Sequence, residues 1–553
     1  MPSNPPITTA AVVDTYECAT RVQLSLAGVP ATNSPDTLIA DYGNTHEAAV
    51  AAAIGAVAPL ARGARPDGLR ADNMFQATLR TDEFNLRPDF LLTAQTATSL
   101  LASHGDATVV PGGDRMLIPA DAKAARTAAP AAVLQVALYG MALAALGYPR
   151  PSTGLLLLAT GDTDGFRAET VRLDRYYPLV ASLAARYRQA AAAGPVAGID
   201  SLYGPATNAC DKCRYADLCA QRRRAADDLC ALPALPALTR GRLAAAGLGT
   251  VASLAVAGDA ERPANVGEST FRRSRAAAGL IVASRAAGAP AFTWLTAGCG
   301  APGGPATMAA PAYIDEAVTV AGRTVGAVKA AGSHGRLPDP NPGDIFFDFE
   351  GFPLYPGGGL EYLFGWVTRD ADGQATFDHL WAEDRDGERA AFTAFIDMLV
   401  DRFAEHPGAH LYHYADYEVS ALRRLAARHR TRTAEVEQLI VGSKFVDLFA
   451  VVRGALLAGV ESYSIKKLEP LYGFSPRTGG VTTALGSVDG FHQYRTAPNP
   501  DAAAALRATI VAYNTDDCLS TAALADWLWA RRGDAHAFLP PPLSYSAYVG
   551  DRW

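Results

Sequence analysis

A chain of 553 residues exceeds the roughly 100–200 residues of one domain, so two or three domains are expected. With 49% hydrophobic and 19% charged residues it has the apolar material for real cores, which excludes a disordered or collagen-like chain. A formal net charge of −7 excludes a basic surface overall, so any nucleic-acid binding must rest on local basic patches and metal ions. Six lysines, at 123, 212, 329, 444, 466 and 467, stand against 43 arginines, and a lysine inside a motif therefore carries weight.

Met1 to Ala10 has neither the basic region nor the apolar run of a secretory signal. The stretch Ala128–Leu146 is apolar except for Gln135 and Tyr139. It contains Pro130 and lies mid-domain, so it reads as a buried Ala-rich helix and not as a membrane span. Seven cysteines in so long a chain do not make a disulfide scaffold, and their spacing points to metal ligation in a reducing, cytoplasmic setting.

Residues 1–220 mix helix and strand. Phe75–Leu79 and Phe84–Leu92 read as strands around the turn Thr81–Glu83. Met116–Ala120 and Gly154–Thr160 read as strands, and Pro130–Leu146 as a helix. Residues 221–285 are helical and Arg-rich, with Leu238–Ala257 forming two short helices around a glycine hinge. Residues 286–340 are a Gly/Pro-rich connector. Residues 341–553 carry strands at Asp344–Phe349, Glu361–Val367, Phe377–Trp381 and His410–His413, with helices near 387–404, 416–429 and 503–531, the pattern of a second α/β domain. There is no 20–50-residue repeat and no GxxxxGK[ST] loop.

Three sets of residues carry chemistry. In the first, Asp89 ends one apolar strand, and Asp121 and Lys123, on one face by their i, i+2 spacing, end another. Two carboxylates and an ammonium can hold Mg²⁺ beside an attacked phosphate. Gln135 and Tyr139, at i, i+4, are the polar face of an apolar helix, and His46 offers a further ligand. In order, Gly43-Asn-Thr-His46, Pro88-Asp89, Asp121-Ala-Lys123 and Gln135-xxx-Tyr139 resemble the RecB-type branch of the PD-(D/E)XK nucleases. The resemblance implies catalytic roles for Asp89, Asp121, Lys123, Gln135 and Tyr139, with His46 as a metal ligand. The interval from Asp89 to Asp121 is longer than the family pattern.

The second set is Cys210-x2-Cys213-x5-Cys219, preceded far upstream by Cys18. One cysteine before the nuclease motifs and three after them resembles the iron–sulfur subset of RecB-type nucleases, which implies a [4Fe-4S] cluster on these four thiolates. Structural zinc is the competing assignment. Cys230, Cys299 and Cys518 lack such spacing and read as ordinary thiols.

The third set is Asp348 and Glu350 at i, i+2 on an apolar strand, Glu418 after an aromatic segment, and Tyr513 with Asp517 on one helical face. Two adjacent carboxylates buried without a cation are costly, so divalent ions are the natural partners. The set resembles the DEDDy group of ribonuclease H-like exonucleases. That implies four acids holding two Mg²⁺ or Mn²⁺ ions and a tyrosine orienting water. The family usually has Asp where Glu418 stands, with His413 near its usual Asn. Asp447, Lys466 and Lys467 read as phosphate contacts or solvated helix ends. Arg222, Arg223 and Arg224, and Arg272, Arg273 and Arg275, are basic clusters that track phosphates or merely face solvent.

Over nearly the whole chain the resemblance is to RecB-like nucleases with an iron–sulfur PD-(D/E)XK domain, a helix-hairpin-helix-like linker and a ribonuclease H-like domain. It implies a metal-dependent nuclease on DNA, at single strands or ends, in repair or recombination, with a separate helicase as a partner and no membrane. An RNA-processing 3′–5′ exonuclease and a catalytically quiet nucleic-acid-binding adaptor for a helicase stand as alternatives.

Overall fold

The computed structural model describes residues 5–33, 37–63, 66, 72–160, 165–233, 235–294, 296–297, 312–313, 318–320, 323–325, 337–474 and 484–531. The chain forms two compact α/β units, Met1–Arg223 with Leu354–Gly359, and Arg224–Pro353 with Leu360–Trp553. Cys299 and most of the Gly/Pro-rich connector lie outside the described residues. No described helix is long and apolar enough to cross a membrane.

The first unit is built on a six-stranded sheet in the order Ala61–Arg62, Met74–Phe75, Phe90–Thr93, Leu117–Lys123, Thr153–Ala159, Phe166–Arg172. The strand Thr153–Ala159 shows why a sheet needs cover on both faces. Leu156 and Leu158 join Leu134, Leu138 and Leu143 of helix Pro130–Ala145, while Leu155 and Leu157 join Val50, Ile54 and Leu100 on the other side. Leu117–Lys123 is sorted in the same way. Ile118, Ala120 and Ala122 face one core, and Leu117 packs in the other, on the side of Pro130–Ala145. Period-2 alternation therefore turns Asp121 and Lys123 toward that helix.

Two expected strands are broken. Phe75–Leu79 stops at Gln76, whose φ of 51° leaves the extended region, and resumes as Leu79–Arg80. Phe84–Leu92 splits into Asn85–Leu86 and Phe90–Thr93 around Pro88, which has no N–H for a ladder. The long interval before Asp121 contains helix Ala94–His104, yet Phe90 still pairs with Ala120 and Leu91 with Pro119.

The second unit has a five-stranded sheet in the order Ala375–Trp381, Leu360–Arg369, Ile345–Phe352, Leu411–His413, Phe445–Asp447. The first three strands are antiparallel and the last two run parallel to Ile345–Phe352. Ile345, Phe347 and Phe349 pack on helices Arg385–Glu405 and Tyr417–His429, while Phe346 packs on helix Pro500–Ala530. Asp348 and Glu350 share the parity of Phe346 and so face the long helix. The segment 224–294 belongs to this unit. Its helices Ala237–Ala245, Val251–Val256 and Glu268–Ala287 enclose a core with Leu457, and Phe292–Trp294 pairs antiparallel with Leu456–Ala458.

Candidate metal and catalytic sites

On the five-stranded sheet, Asp348, Glu350 and Asp517 each place a carboxylate oxygen within 4.8 Å of the others. Three convergent carboxylates in so little space repel one another unless protonated or bridged by cations. Burial, then the charges of Asp517, Glu350 and Glu418, hold the Asp348 carboxyl well above the usual range. Burial likewise pushes Glu350 up to about 8, against the opposing hydrogen bond from Ser487.

Helix Tyr417–His429 supplies Glu418 from beyond the strand Leu411–His413. Glu418 is buried, and its Oε2 has no hydrogen-bond partner and lies 3.5 Å from His413 Nδ1, which itself contacts the carbonyl of Ala415. Glu418 is not one of the three within 4.8 Å, but it interacts with the Asp348 carboxyl, and an orphaned buried carboxylate oxygen there is what a bound cation would satisfy. The donor set is all hard oxygen, which suits Mg²⁺ or Mn²⁺. Lys466 Nζ donates to Tyr513 Oη at 2.5 Å, and its positive charge opposes the upward shift of Glu350.

Residues without a sequence signal complete this site. Asn514, fully buried, donates Nδ2 to Asp348 Oδ2 at 2.8 Å and to the Asp348 carbonyl at 3.2 Å. Opposite stands Gly365, where any Cβ would fall 1.7 Å from Asn514 Oδ1, so only glycine leaves room for the amide. Ser487 Oγ donates to Glu350 Oε2 at 2.7 Å and meets the Tyr362 hydroxyl.

Asp447, for which the sequence left a phosphate contact and a helix end open, stands at a helix end. Its Oδ1 accepts the Phe449 N–H at 2.9 Å, capping helix Leu448–Ala455, and the Ala415 N–H at 2.9 Å. The second bond holds Ala415 at φ 74°, a left-handed conformation that alanine adopts only under constraint, three residues before Glu418.

In the first unit, Asp121 is fully buried, ion-paired through Oδ2 with Lys123, and accepts Gln135 Nε2 on Oδ1 at 3.1 Å. Gln135 Nε2 also reaches Tyr139 Oη at 2.6 Å. Asp89 Oδ2 accepts the Ala122 N–H at 2.9 Å and shares a hydrogen bond with the Asp121 carboxyl. Burial and the Asp121 charge push Asp89 up to about 7, against the pull of Lys123, and burial also holds Asp121 above its usual value. Burial alone would lower Lys123, but Asp121, Asp89 and Glu47 outweigh it and hold its ammonium above the usual range.

The sequence motifs thus meet in space, with one exchange. His46 Nε2 lies 3.0 Å from the Leu157 carbonyl, whereas its neighbour Glu47 acts electrostatically on both Asp121 and Lys123. Glu47 was missed because nothing in its spacing separates it from a surface acid; its Oε1 accepts Gln76 Nε2 at 3.0 Å.

Cys18, Cys210, Cys213 and Cys219 line one small cavity. Cys18 caps helix Ala19–Leu26, the other three come from the segment 210–219, and Gly204 closes in so tightly that a Cβ there would sit 3.1 Å from Cys18 Sγ. The N–H groups of Thr207 and Tyr215 reach Cys210 Sγ and Cys213 Sγ at 3.5 Å each. Asp14 bridges Arg21 at 2.7 Å and Arg214 at 2.5 Å, tying the first helix to the cysteine segment.

The Arg222–Arg224 cluster is engaged within the chain. Arg222 donates to the carbonyls of Ile199 and Leu202, Arg223 donates to that of Gly204, and Arg224 reaches Glu461 at 3.4 Å. Lys467 is exposed.

Residues 345–529, the five-stranded sheet and its helices, match the family model of the ribonuclease H superfamily. The chain therefore contains a ribonuclease H-like domain, a nuclease-type fold whose acidic site could hold a divalent metal. No curated protein and no solved structure matches the chain.

Raised carboxyl pKa values have a definite pH consequence. Unfolded carboxyls titrate near ~4, so the metal-free folded state holds extra protons up to about 8, and the associated stability is lost as pH rises through that window. A cation displaces those protons, so its binding tightens by roughly tenfold per pH unit for each displaced proton over the same window. The rise in Tm on adding Mn²⁺ should be several degrees larger at pH 8 than at pH 6 when followed by thermal unfolding. An equal rise at both would contradict this electrostatic account.

Proposed function

We propose that the chain is a metal-dependent nuclease that hydrolyses phosphodiester bonds in DNA, acting on single strands or ends in repair or recombination. The convergence of Asp348, Glu350 and Asp517, with the orphaned Glu418 beside them on a ribonuclease H-like sheet, carries this reading. In it these four acids hold Mg²⁺ or Mn²⁺, which when bound would activate water and stabilise the attacking and leaving oxygens. Lys466 presents positive charge to the phosphate, and Tyr513, whose hydroxyl accepts from Lys466, orients the nucleophilic water with its oxygen. Asn514 and Ser487 fix the carboxylates of Asp348 and Glu350.

A second centre of RecB type, within a PD-(D/E)XK-like first unit, is supported by the meeting of Asp89, Asp121 and Lys123. Here Asp89 and Asp121 are the metal ligands, with Glu47 and His46 nearest in sequence motif. Lys123 offsets charge developing on phosphate, and Gln135 aligns Asp121. The four cysteines lining one small cavity support a [4Fe-4S] cluster, with structural zinc as the competing occupant.

The test is cleavage of end-labelled single- and double-stranded DNA by anaerobically purified protein with Mg²⁺ or Mn²⁺. In a protein whose second site is silenced by Asp348→Asn, the changes Asp121→Asn and Lys123→Ala should each lower the remaining cleavage at least a hundredfold with the fold intact. Activity unchanged by either would remove the first-unit centre. DNA left intact by the unaltered protein under every metal condition would remove the nuclease reading.

A further inference from the structure

Within the second unit, a cavity of about 680 Å³ opens between the helical segment and the ribonuclease H-like domain. One wall is Leu232, Leu235 and Arg273; the other is Phe449, Arg453 and Tyr463, with Ala415 and Asp416 at its edge. That edge leads directly to catalytic elements, since Asp416 caps helix Tyr417–His429, which carries Glu418, and Tyr463 precedes the helix Ile465–Tyr472, which carries Lys466.

Arg273 is out of pattern on its helix. Its neighbours Arg272 and Arg275 both pair with Asp259. Arg273 instead lines the cavity, and its Nη1 is buried with no hydrogen-bond partner. Burial lowers its pKa, Tyr463 acts the other way, and the second cavity arginine, Arg453, lowers it further. A buried guanidinium nitrogen without an acceptor is costly in the free protein unless an anion completes it. Of the two carboxylates at the cavity, Asp447 already accepts two backbone N–H groups and Asp416 is exposed at the active-site edge.

The occupant must therefore be anionic, and the guanidinium fork matches a phosphate. It must also be partly flat and apolar. Phe449 carries the Arg453 guanidinium 5.3 Å from its ring centroid, a platform of the kind on which bases stack. A cavity of this size falls in the roughly 300–1,000 Å³ range of small-ligand sites, the scale of a nucleotide and not of a duplex.

We propose that this cavity binds the single DNA strand adjoining the scissile bond, with Arg273 and Arg453 on its phosphates and Phe449 beside a base. The helical segment is then one jaw of the substrate site. This rests on reading the neighbouring acids as a nuclease centre.

The experiment uses the full chain carrying Asp121→Asn, so that only the ribonuclease H-like centre cuts, and a fluorescein-labelled oligothymidylate. With Mn²⁺, Arg273→Gln with Arg453→Gln should raise KM at least tenfold with kcat within twofold. In EDTA the same pair should weaken binding by fluorescence anisotropy at least tenfold and flatten its salt dependence by one to two counterions. Arg272→Gln should change neither. If Arg273→Gln disturbs folding, the exposed Arg453→Gln alone should still raise Kd at least threefold. An enzyme that cuts normally with unchanged KM, Kd and salt slope in these variants overturns the cavity assignment and leaves the nuclease reading standing. An unaltered protein that never cuts but shows the arginine-dependent binding removes the nuclease reading and keeps the cavity. Binding of thymidine monophosphate that leaves the oligomer undisplaced would overturn the strand assignment.

Discussion

Asp348→Asn should cut the hydrolysis by the ribonuclease H-like domain at least a thousandfold while leaving the metal-free protein as stable as before or more so. The two effects have opposite signs for one reason. Burial and the charges of Asp517, Glu350 and Glu418 push the Asp348 carboxyl upward, so its carboxylate form is disfavoured in the absence of a cation. The amide keeps the volume and removes that repulsion, and Asn514 can turn its own amide to keep a hydrogen bond. The charge needed to hold two ions is gone, however, and loss of one central ligand from such a site removes several kcal/mol of transition-state stabilisation. Tyr513→Phe should be milder, about tenfold, because it deletes a hydroxyl that accepts from Lys466 and leaves every carboxylate in place. Both are measured as Mn²⁺-dependent shortening of end-labelled strands in an Asp121→Asn background, with Tm recorded without metal. Full activity in Asp348→Asn would show that these acids do not hold the catalytic ions.

The acids of that site are legible because chemistry there coincides with periodicity. Ile345–Phe352 alternates so strictly that two carboxylates on one face stand out against Phe346 and Phe347, and Tyr513 and Asp517 are one helical turn apart. Asn514 was invisible for the opposite reason. An asparagine inside a long helix has no distinctive spacing, and the reason it fits, Gly365, lies on a different strand. Ser487 likewise reaches Glu350 only through tertiary packing. For Asp447 the sequence leaves two readings open, because a carboxylate after a short strand looks the same whether it meets phosphate or a helix N-terminus. Arg222 and Arg223 make contacts that a run of arginines does not announce, since the carbonyls of Ile199, Leu202 and Gly204 accept from them. In the fold, long apolar elements such as Pro130–Ala145 and Leu360–Arg369 are read to within a few residues. Strands broken by a single positive φ at Gln76 are not, since no propensity announces that conformation.

Protein prepared without oxygen should be brown and hold about four iron and four sulfide per chain, and Cys213→Ser should bleach it. The same change should lower the Tm of the first unit by roughly 10 °C, because a cluster held by four thiolates closes a very long loop. Asp14 and Arg214, 200 residues apart, already touch at 2.5 Å, so part of that closure is made by an ion pair before any cluster forms. Bleached protein should therefore keep its sheet while losing cooperativity near the first helices, seen as faster hydrogen exchange in 9–26 than in 153–159. Cys230→Ser supplies the control, since Cys230 does not line the cavity and its loss should leave iron content unchanged. Cys18→Ser is the sharper variant. Cys18 is the cavity cysteine from outside the 210–219 segment, and removing it would leave three cysteines that no longer span the loop. If that variant keeps both its iron and its Tm, or if anaerobic protein carries one zinc and no iron, the cysteines do not hold a [4Fe-4S] cluster. In the first case the Asp14–Arg214 pair, with the hydrogen bonds between residues 29–33 and 214–218, would be what ties the ends of the first unit together.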